Sequence, residues 1–142
     1  MKIVIFSDGG ARGNPGPAGI GAVIKIDNQI SGESDNQKIS KFIGEATNNQ
    51  AEYQAVITAL TWVKENIKED IEVECFLDSE LIVEQLNQRY KLKNEGLKPL
   101  FWQVRDLIMQ LGGKVTFKYI PREQNAEADR LVNEALDNQI VR

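Results

Sequence analysis

The apolar and polar positions of the chain alternate between stretches typical of strands and stretches typical of helices. Residues 3–6 are four consecutive apolar positions, which predict a strand buried on both faces and ending at Asp8. Residues 20–26 predict a second strand that returns from a glycine-rich loop, so the loop closes a hairpin. The polar stretch from 26 to about 44 predicts a turn and an edge strand. Two further strands are predicted from period-two alternation, at 71–77 and 115–120.

A first long helix is predicted from a capping-box pattern followed by an apolar stripe. Thr47 and Gln50 form the capping box, and the helix runs to about Asn66. The stripe consists of Val56, Leu60, Val63 and Ile67. Glu52 lies one turn before this stripe, so we expect its carboxylate to face the sheet.

Three more helices follow from the same kind of reasoning. Ser79 is a predicted N-cap of a short helix, and Gly112-Gly113 ends a longer one. A polar loop at 122–125 leads into the last helix. Its apolar stripe is Ala128, Leu131, Val132, Ala135 and Leu136. Asp129 therefore lies on or beside the buried side of this helix.

Composition removes several classes of chemistry. The chain has 142 residues and no histidine, which excludes histidine triads, imidazole acid/base catalysis and histidine-ligated zinc. The single cysteine, Cys75, excludes an internal disulfide and a cysteine-rich zinc site. The sequence contains neither a signal-peptide pattern nor a membrane-spanning run, so we expect a cytoplasmic protein. Any catalysis must depend on carboxylates.

Four acids stand at strand ends or at sheet-facing helix starts, and each has an ordinary alternative explanation. Asp8 could simply start a turn, and Asp78 could cap a helix. For Glu52, helix capping and cation binding are equally good interpretations. Asp129 is the fourth. Gathered carboxylates repel one another unless divalent cations share them, so together they indicate a site for Mg²⁺ or Mn²⁺.

Positive charge is concentrated in residues 86–105, although the net charge of the chain is −4. The bases there are Arg89, Lys91, Lys93, Lys98 and Arg105, interleaved with Tyr90, Phe101 and Trp102. Such a pattern is typical of a surface that follows a phosphate backbone, but also of a solvated helix face with core aromatics. The helical spacing predicts that Phe101 is buried. Tyr90, Lys91 and Lys93 lie in the joint between helices and are the residues expected to contact a partner.

The motifs resemble those of type 1 ribonuclease H over almost the whole length of the chain. The matching segments are Asp8-Gly9-Gly10 with Gly13-Asn14-Pro15-Gly16-Pro17, Thr47-Asn48-Asn49-Gln50-Ala51-Glu52, Leu77-Asp78-Ser79, and the stretch from Asn125 to Asp129. The resemblance implies an α/β ribonuclease H-like fold with a five-stranded mixed β-sheet flanked by α-helices, in a single domain over residues 1–142. It also implies cleavage of the RNA strand of RNA/DNA hybrids, with Asp8, Glu52, Asp78 and Asp129 as metal-binding catalytic acids.

The implied mechanism uses two Mg²⁺ ions, for which Mn²⁺ can substitute, and leaves 5′-phosphate and 3′-hydroxyl ends. By the same resemblance, the residues that contact substrate are Gly9, Gly10, Gly13, Asn14, Thr47, Asn48, Asn49 and Glu80. The charge pattern adds Lys91 and Lys93 as substrate contacts. The amides of Asn48 and Asn49 read the minor groove and Thr47 contacts a DNA phosphate, while capping remains a second role for these residues. Glu80 stands where many members carry glutamine.

The chain departs from the bacterial family pattern in two ways. The loop before the last acid has no histidine, and Arg122 and Glu123 are the candidates to take its place. We expect Arg122 to assist turnover. The joint is short where many bacterial enzymes have a long basic protrusion. Both features resemble archaeal-type members.

The expected partner is an RNA/DNA hybrid, with double-stranded RNA as a further candidate, and the protein is expected to be a monomer without an obligate protein partner. Two alternatives stay open. One is a module that binds hybrids or structured RNA without cleaving them, and the other is a different nuclease of the same fold.

Overall fold

The computed structural model describes residues 1–28 and 33–140. Its elements, in chain order, are β1 (Lys2–Ala11), β2 (Gly16–Asn28), β3 (Glu33–Ala46), α1 (Asn48–Asn66), β4 (Glu72–Leu77), α2 (Glu80–Leu86), α3 (Lys98–Gln110), β5 (Val115–Tyr119), a 3₁₀ turn (Arg122–Gln124) and α4 (Ala126–Ile140). The strands form one sheet in the order β3-β2-β1-β4-β5. The β1–β2 and β2–β3 pairs are antiparallel, whereas β1–β4 and β4–β5 are parallel. The predicted five-stranded mixed sheet and the edge position of the third strand are confirmed.

Strand β1 differs from its prediction in length and in burial. It continues through Asp8 to Ala11, because β2 stays paired with it as far as Ala11 opposite Ala18. The predicted loop over this stretch was therefore wrong for most of its length. Ile3 and Ile5 are buried, but Phe6 is only partly so, because it lies on the other face of the strand and borders a small open cavity beside the start of α4. Full burial on both faces was also wrong.

Helices cover the two faces of the sheet. Helix α1 packs on β1 and β2, and α3 packs on α1. Helix α4 lies against β2 and β3 on the opposite face. The main core lies between the sheet and α1, α2 and α3. Its fully buried members include Ile3, Tyr53, Leu60, Val73 and Val104.

The predicted helix boundaries and stripes are largely confirmed. Thr47 and Gln50 form the capping box in both directions. All five stripe residues of α4 are buried. Gly112 and Gly113 have positive φ, and the Gly113 N–H closes the end of α3 by donating to the Ile108 carbonyl at 2.8 Å.

A few predictions needed correction or fall outside the described residues. The predicted loop at 122–125 contains a turn of 3₁₀ helix. Phe101 is half-buried instead of fully buried, because its ring lies at the start of α3 beside exposed Trp102. Part of the turn predicted after Ile26, residues 29–32, lies outside the described part of the chain. Within that part, no helix has both the length and the apolar character that crossing a bilayer requires.

Candidate active site

Three of the predicted acids meet at one edge of the sheet. Asp8, Glu52 and Asp78 each offer a carboxylate oxygen, and these oxygens lie within 4.8 Å of one another. Asp8 and Glu52 are only 7% exposed, and Asp78 is half-buried. Three carboxylates from β1, α1 and the end of β4 therefore share one small volume.

The end of a parallel strand pair creates the space for these acids. Pairing between β1 and β4 stops at Phe6 opposite Phe76. Beyond that point β1 continues beside β2, while the chain after Leu77 turns away into α2, whose N-cap is Ser79. Asp8 and Asp78 stand on either side of the resulting gap, outside the carboxyl ends of the parallel strands, where ligands of open α/β sheets collect.

Two glycines beside Asp8 let the helices approach the sheet closely enough to bring in their own acids. Gly9 follows Asp8, and a Cβ at Gly9 would overlap the backbone of Ala51, the residue before Glu52. Gly21 is the partner of Asp8 on β2, and a Cβ there would overlap the backbone of Ala128, the residue before Asp129. In both cases the acid is the residue that directly follows the contacted alanine in the sequence. These glycines therefore have a packing role in the site that the sequence analysis did not identify.

A single backbone N–H orients two of the acids. The Gly9 N–H donates to Asp8 Oδ1 at 2.9 Å and to Glu52 Oε1 at 3.0 Å. The other oxygen of Glu52, Oε2, is buried and has no hydrogen-bond partner among the described residues. A buried carboxylate oxygen without a partner is costly unless a cation or a proton satisfies it. The donor set, three carboxylates, fits a hard divalent cation.

The pKa values of the cluster show that burying these carboxylates together disfavours their ionised forms. Burial, followed by the charges of Asp78 and Asp129, raises the pKa of Asp8 to about 6. Burial also raises the pKa of Glu52 well above its usual value, and its hydrogen bond with Asp8 raises it further. The same bond lowers the pKa of Asp8, although the net shift of Asp8 is upward. A bound cation would favour the ionised form of both acids.

The pKa of Asp78 is raised, and its neighbours only partly offset this shift. Burial raises its pKa, while a hydrogen bond from Asn125 and the charge of Arg122 act in the opposite direction. The Asn125 Nδ2 atom lies 3.3 Å from Asp78 Oδ2. Arg122 is exposed on the 3₁₀ turn, near enough to act on Asp78 through its charge. Asn125 is a residue of the site to which the sequence analysis assigned no role; its position four residues before Asp129 was the available signal.

Asp129 lies beside the three acids. Its charge raises the pKa of both Asp8 and Asp78, which shows that it is close to them. It is not one of the three residues whose oxygens lie within 4.8 Å of one another. Its role as a fourth metal ligand stays a prediction.

The predicted substrate-binding residues of the first loop and of α1 are joined to each other. Asn14 Oδ1 accepts the Asn48 N–H at 2.9 Å, and Asn48 Oδ1 accepts the Ala11 N–H at 2.8 Å. Gly13 has φ of 98°, which suits the turn of the loop. With both side-chain oxygens used in this way, the Asn14 and Asn48 amide nitrogens, which donate to none of the described residues, remain for a ligand. Thr47 caps α1, and Asn49 follows on the same first turn.

The other predicted contacts lie farther along the chain, on the surface. Glu80, Lys91 and Lys93 are all exposed. Lys91 is part of a groove between the end of α2 and the start of α3, which is also lined by Arg89, Tyr90, Lys98, Phe101 and Trp102. Trp102 is 65% exposed. Trp102 is absent from the predicted contact residues, because an aromatic side chain at helical spacing is more often part of the core.

Comparison with known proteins agrees with this fold. The family model described as reverse transcriptase-like matches residues 6–135. The bifunctional protein Rv2228c of Mycobacterium tuberculosis is 40% identical over 138 residues, which cover 96% of this chain and 36% of that protein. The chain thus spans about a third of the length of the mycobacterial relatives it matches.

Solved structures extend the comparison over whole chains. LC11-RNase H1, isolated from compost by a metagenomic approach, has a TM-score of 0.87 and 48% identity, with 98% of each chain covered. The same protein has been solved in complex with an RNA/DNA hybrid, with a TM-score of 0.84. RNase H1 from the halophilic archaeon Halobacterium salinarum has a TM-score of 0.84 and 34% identity, covering 97% of this chain and 99% of that one.

The sheet order, the helices on both faces and the acid cluster define a ribonuclease H-like α/β protein with a carboxylate site consistent with a divalent metal. The chain belongs to the type 1 ribonuclease H family. An archaeal protein is among its close structural relatives, in agreement with the predicted resemblance to archaeal-type members.

Proposed function

We propose that this protein is an endoribonuclease that hydrolyses the RNA strand of RNA/DNA hybrids, with 5′-phosphate and 3′-hydroxyl products. The observation that carries the proposal is the meeting of Asp8, Glu52 and Asp78 within 4.8 Å, with Glu52 Oε2 buried and unpartnered among the described residues. A cluster built only for stability would not leave that oxygen unsatisfied. The relative LC11-RNase H1, solved with an RNA/DNA hybrid, supports the choice of substrate.

The four acids, Asp8, Glu52, Asp78 and Asp129, would hold the cation site. We infer that it takes two Mg²⁺ ions and accepts Mn²⁺, because four carboxylates carry more negative charge than one divalent ion neutralises. When bound, such ions lower the pKa of an attacking water and stabilise the charge of the leaving oxygen. The chain has no histidine, so the carboxylates themselves must orient the water and take its proton.

Residues around the cluster would position the substrate. The amide nitrogens of Asn14 and Asn48, which donate to none of the described residues, stand at the start of α1, where they can donate to acceptors in the minor groove of the hybrid. Asn49, Thr47 and the backbone of the glycines at 9, 10 and 13 complete this surface. Arg122, exposed and close enough to Asp78 to act on it through its charge, would supply positive charge beside the cluster.

The groove between α2 and α3 would hold the DNA strand. Arg89 and Lys98 in this groove are each paired with a glutamate, at 2.8 and 2.7 Å. Lys91 forms no ion pair with a described residue, and its charge is available to a phosphate. Trp102 and Tyr90 offer exposed aromatic surface next to it. Lys93 extends the same positive joint, and Glu80 stands at the start of α2, toward the cluster.

Cleavage of labelled substrates tests the proposal directly. The protein is incubated with an RNA/DNA hybrid, double-stranded RNA and double-stranded DNA of one sequence, with Mg²⁺ and with EDTA. The expected result is cleavage of the RNA strand of the hybrid only with Mg²⁺, and any cut in double-stranded RNA identifies a second substrate. Binding of the hybrid without cleavage at any Mg²⁺ or Mn²⁺ concentration would show a binding module instead.

A further inference from the structure

Asn125 is a buried polar residue with both of its amide hydrogens in use. It is 1% exposed, and its Nδ2 atom lies 2.9 Å from the Ser7 carbonyl oxygen and 3.3 Å from Asp78 Oδ2. Both partners can only accept hydrogen bonds when Asp78 is ionised. The amide orientation is therefore dictated by chemistry, because the reversed amide would place its oxygen against two other oxygens.

The residue connects three elements that carry the acids. Its side chain joins β1, one residue before Asp8, to Asp78 at the end of β4. Its backbone carbonyl accepts the Asp129 N–H at 3.1 Å, so it also holds the first turn of α4. One residue thus fixes the positions of Asp8, Asp78 and Asp129 relative to one another.

The remaining atom of the side chain indicates that fold stability alone does not explain this arrangement. Asn125 Oδ1 is buried and has no hydrogen-bond partner among the described residues. An unsatisfied buried acceptor is destabilising. An apolar side chain of similar size would avoid that cost, but it could not donate to Asp78.

A neutral donor also suits a carboxylate that must bind a cation. It occupies one lone pair and restricts rotation of the carboxylate, but it adds no positive charge that would compete with the metal. A lysine or arginine at the same place would form an ion pair and repel the cation. The amide therefore orients Asp78 without weakening its attraction for a divalent ion.

We propose that Asn125 is a positioning residue, which acts through Asp78 to orient its carboxylate for a divalent cation and to hold Asp129 beside it. The inference rests on the proposed function, since it assigns the role to that same site. Asn125 itself need not touch the cation or the substrate.

Asn125→Ala tests the inference, with Asn87→Ala as the matched control. Asn87 Nδ2 donates to the Phe117 carbonyl at 3.0 Å, which is the same kind of amide-to-strand bond but involves no carboxylate. Mn²⁺ affinity is measured by electron paramagnetic resonance, and kcat and KM are measured with the hybrid. Losing an outer contact to a metal ligand weakens affinity or activity by about 10- to 100-fold. We expect such a loss in Mn²⁺ affinity and in kcat for Asn125→Ala, with KM little changed.

The control separates positioning from stability. Asn87→Ala should lower the melting temperature and leave Mn²⁺ affinity and kcat at parental values. If Asn125→Ala also lowers only the melting temperature, Asn125 is merely structural and the inference is wrong. If the parent binds Mn²⁺ more tightly than Asn125→Ala but cleaves no hybrid, the positioning role stands and the proposed function fails.

A measurement on the unaltered protein covers the case in which Asn125→Ala does not fold. The side-chain amide protons of Asn125 should exchange slowly with solvent, and their NMR signals should shift when Mg²⁺ is added. Fast exchange, or signals that do not move at saturating Mg²⁺, would overturn the inference.

Discussion

The carboxylate cluster is negatively charged and largely buried, whereas the groove between α2 and α3 is positively charged and exposed to water. In the cluster, Asp8 and Glu52 are 7% exposed, and burial together with neighbouring carboxylates raises the pKa of both. In the groove, Lys91 is exposed, and Arg89 and Lys98 form surface ion pairs. Water screens the groove charges and leaves the cluster charges strongly coupled. A single change should therefore have a large effect in the cluster and a small one in the groove.

Asp78→Asn should have the largest effect. It keeps the shape of the side chain but removes one charge from the cation site, so we expect kcat on the hybrid to fall by at least about 10²- to 10³-fold, the scale of losing one strong electrostatic contact in an active site. Asp106→Asn, at an exposed acid on α3, should leave kcat unchanged. Parental hydrolysis by Asp78→Asn would contradict the enzyme assignment.

Gly21→Ala should show how closely the cluster depends on packing. The added methyl group would overlap the backbone of Ala128, so α4 must shift and carry Asp129 with it. We expect a loss of about 1–3 kcal/mol in the free energy of unfolding, measured by urea denaturation. Gly10→Ala is the control, because a Cβ there meets its nearest neighbour at 3.8 Å. Equal stability of the two variants would show that α4 does not need this contact.

The metal-free protein should become more stable as the pH falls from 7.5 to 5. Asp8 has a pKa of about 6 in the folded chain, against a usual value of 3.8, so the folded state binds its proton more tightly than the unfolded state does. The ionised Asp8 carboxylate therefore lowers the free energy of unfolding. This penalty is nearly complete above pH 6 and disappears as the pH falls toward 4. Between pH 7.5 and 5 the contribution of Asp8 amounts to about 1–2 kcal/mol. Thermal unfolding in EDTA measures it.

Asp8→Asn provides the comparison for this pH dependence. The variant removes the titrating group, so its stability should change less between pH 7.5 and 5 than that of the parent. Added Mg²⁺ should stabilise the parent at pH 7.5, where the acids are ionised. Identical pH profiles for the parent and Asp8→Asn would show that Asp8 does not carry the penalty.

Arg122→Ala should have an intermediate effect, because this exposed charge acts on the buried cluster from outside. An exposed charge contributes up to about 1 kcal/mol, so we expect kcat to fall by roughly two- to fivefold. Arg130→Ala, at an exposed arginine on α4 paired with Glu134, is the matched control. A parental rate for Arg122→Ala would remove Arg122 from the proposed mechanism.

Changes in the groove and at neighbouring Lys93 should have the smallest effects, and these effects should depend on salt concentration. Lys91→Ala and Lys93→Ala should each raise KM for the hybrid modestly without changing kcat. Each lost phosphate contact should reduce the slope of log affinity against log salt by about 1. Lys64→Ala, at an exposed lysine in the last turn of α1, should leave the slope unchanged. A fall in kcat for either groove variant would mean that the groove and the cluster are coupled after all.

Local pattern was enough to predict most elements of the fold, because capping, apolar spacing and turn residues act over a few neighbouring positions. Thr47 with Gln50 predicted the start of α1, and Gly112-Gly113 predicted the end of α3. The extent of β1 was predicted incorrectly. Glycines 9 and 10 are typical of loops, but long-range pairing with β2 keeps them in a strand.

The sequence by itself determined which residues could do chemistry here: without histidine, and with four acids at element ends, only a carboxylate site was available. Only the tertiary structure decided how these acids are arranged. Asp8 and Asp78 face each other because β1 and β4 stop pairing after Phe6 and Phe76, and Glu52 joins them because Gly9 admits α1. Distances of a few ångströms between residues far apart in the chain depend on packing between elements, which no local pattern specifies.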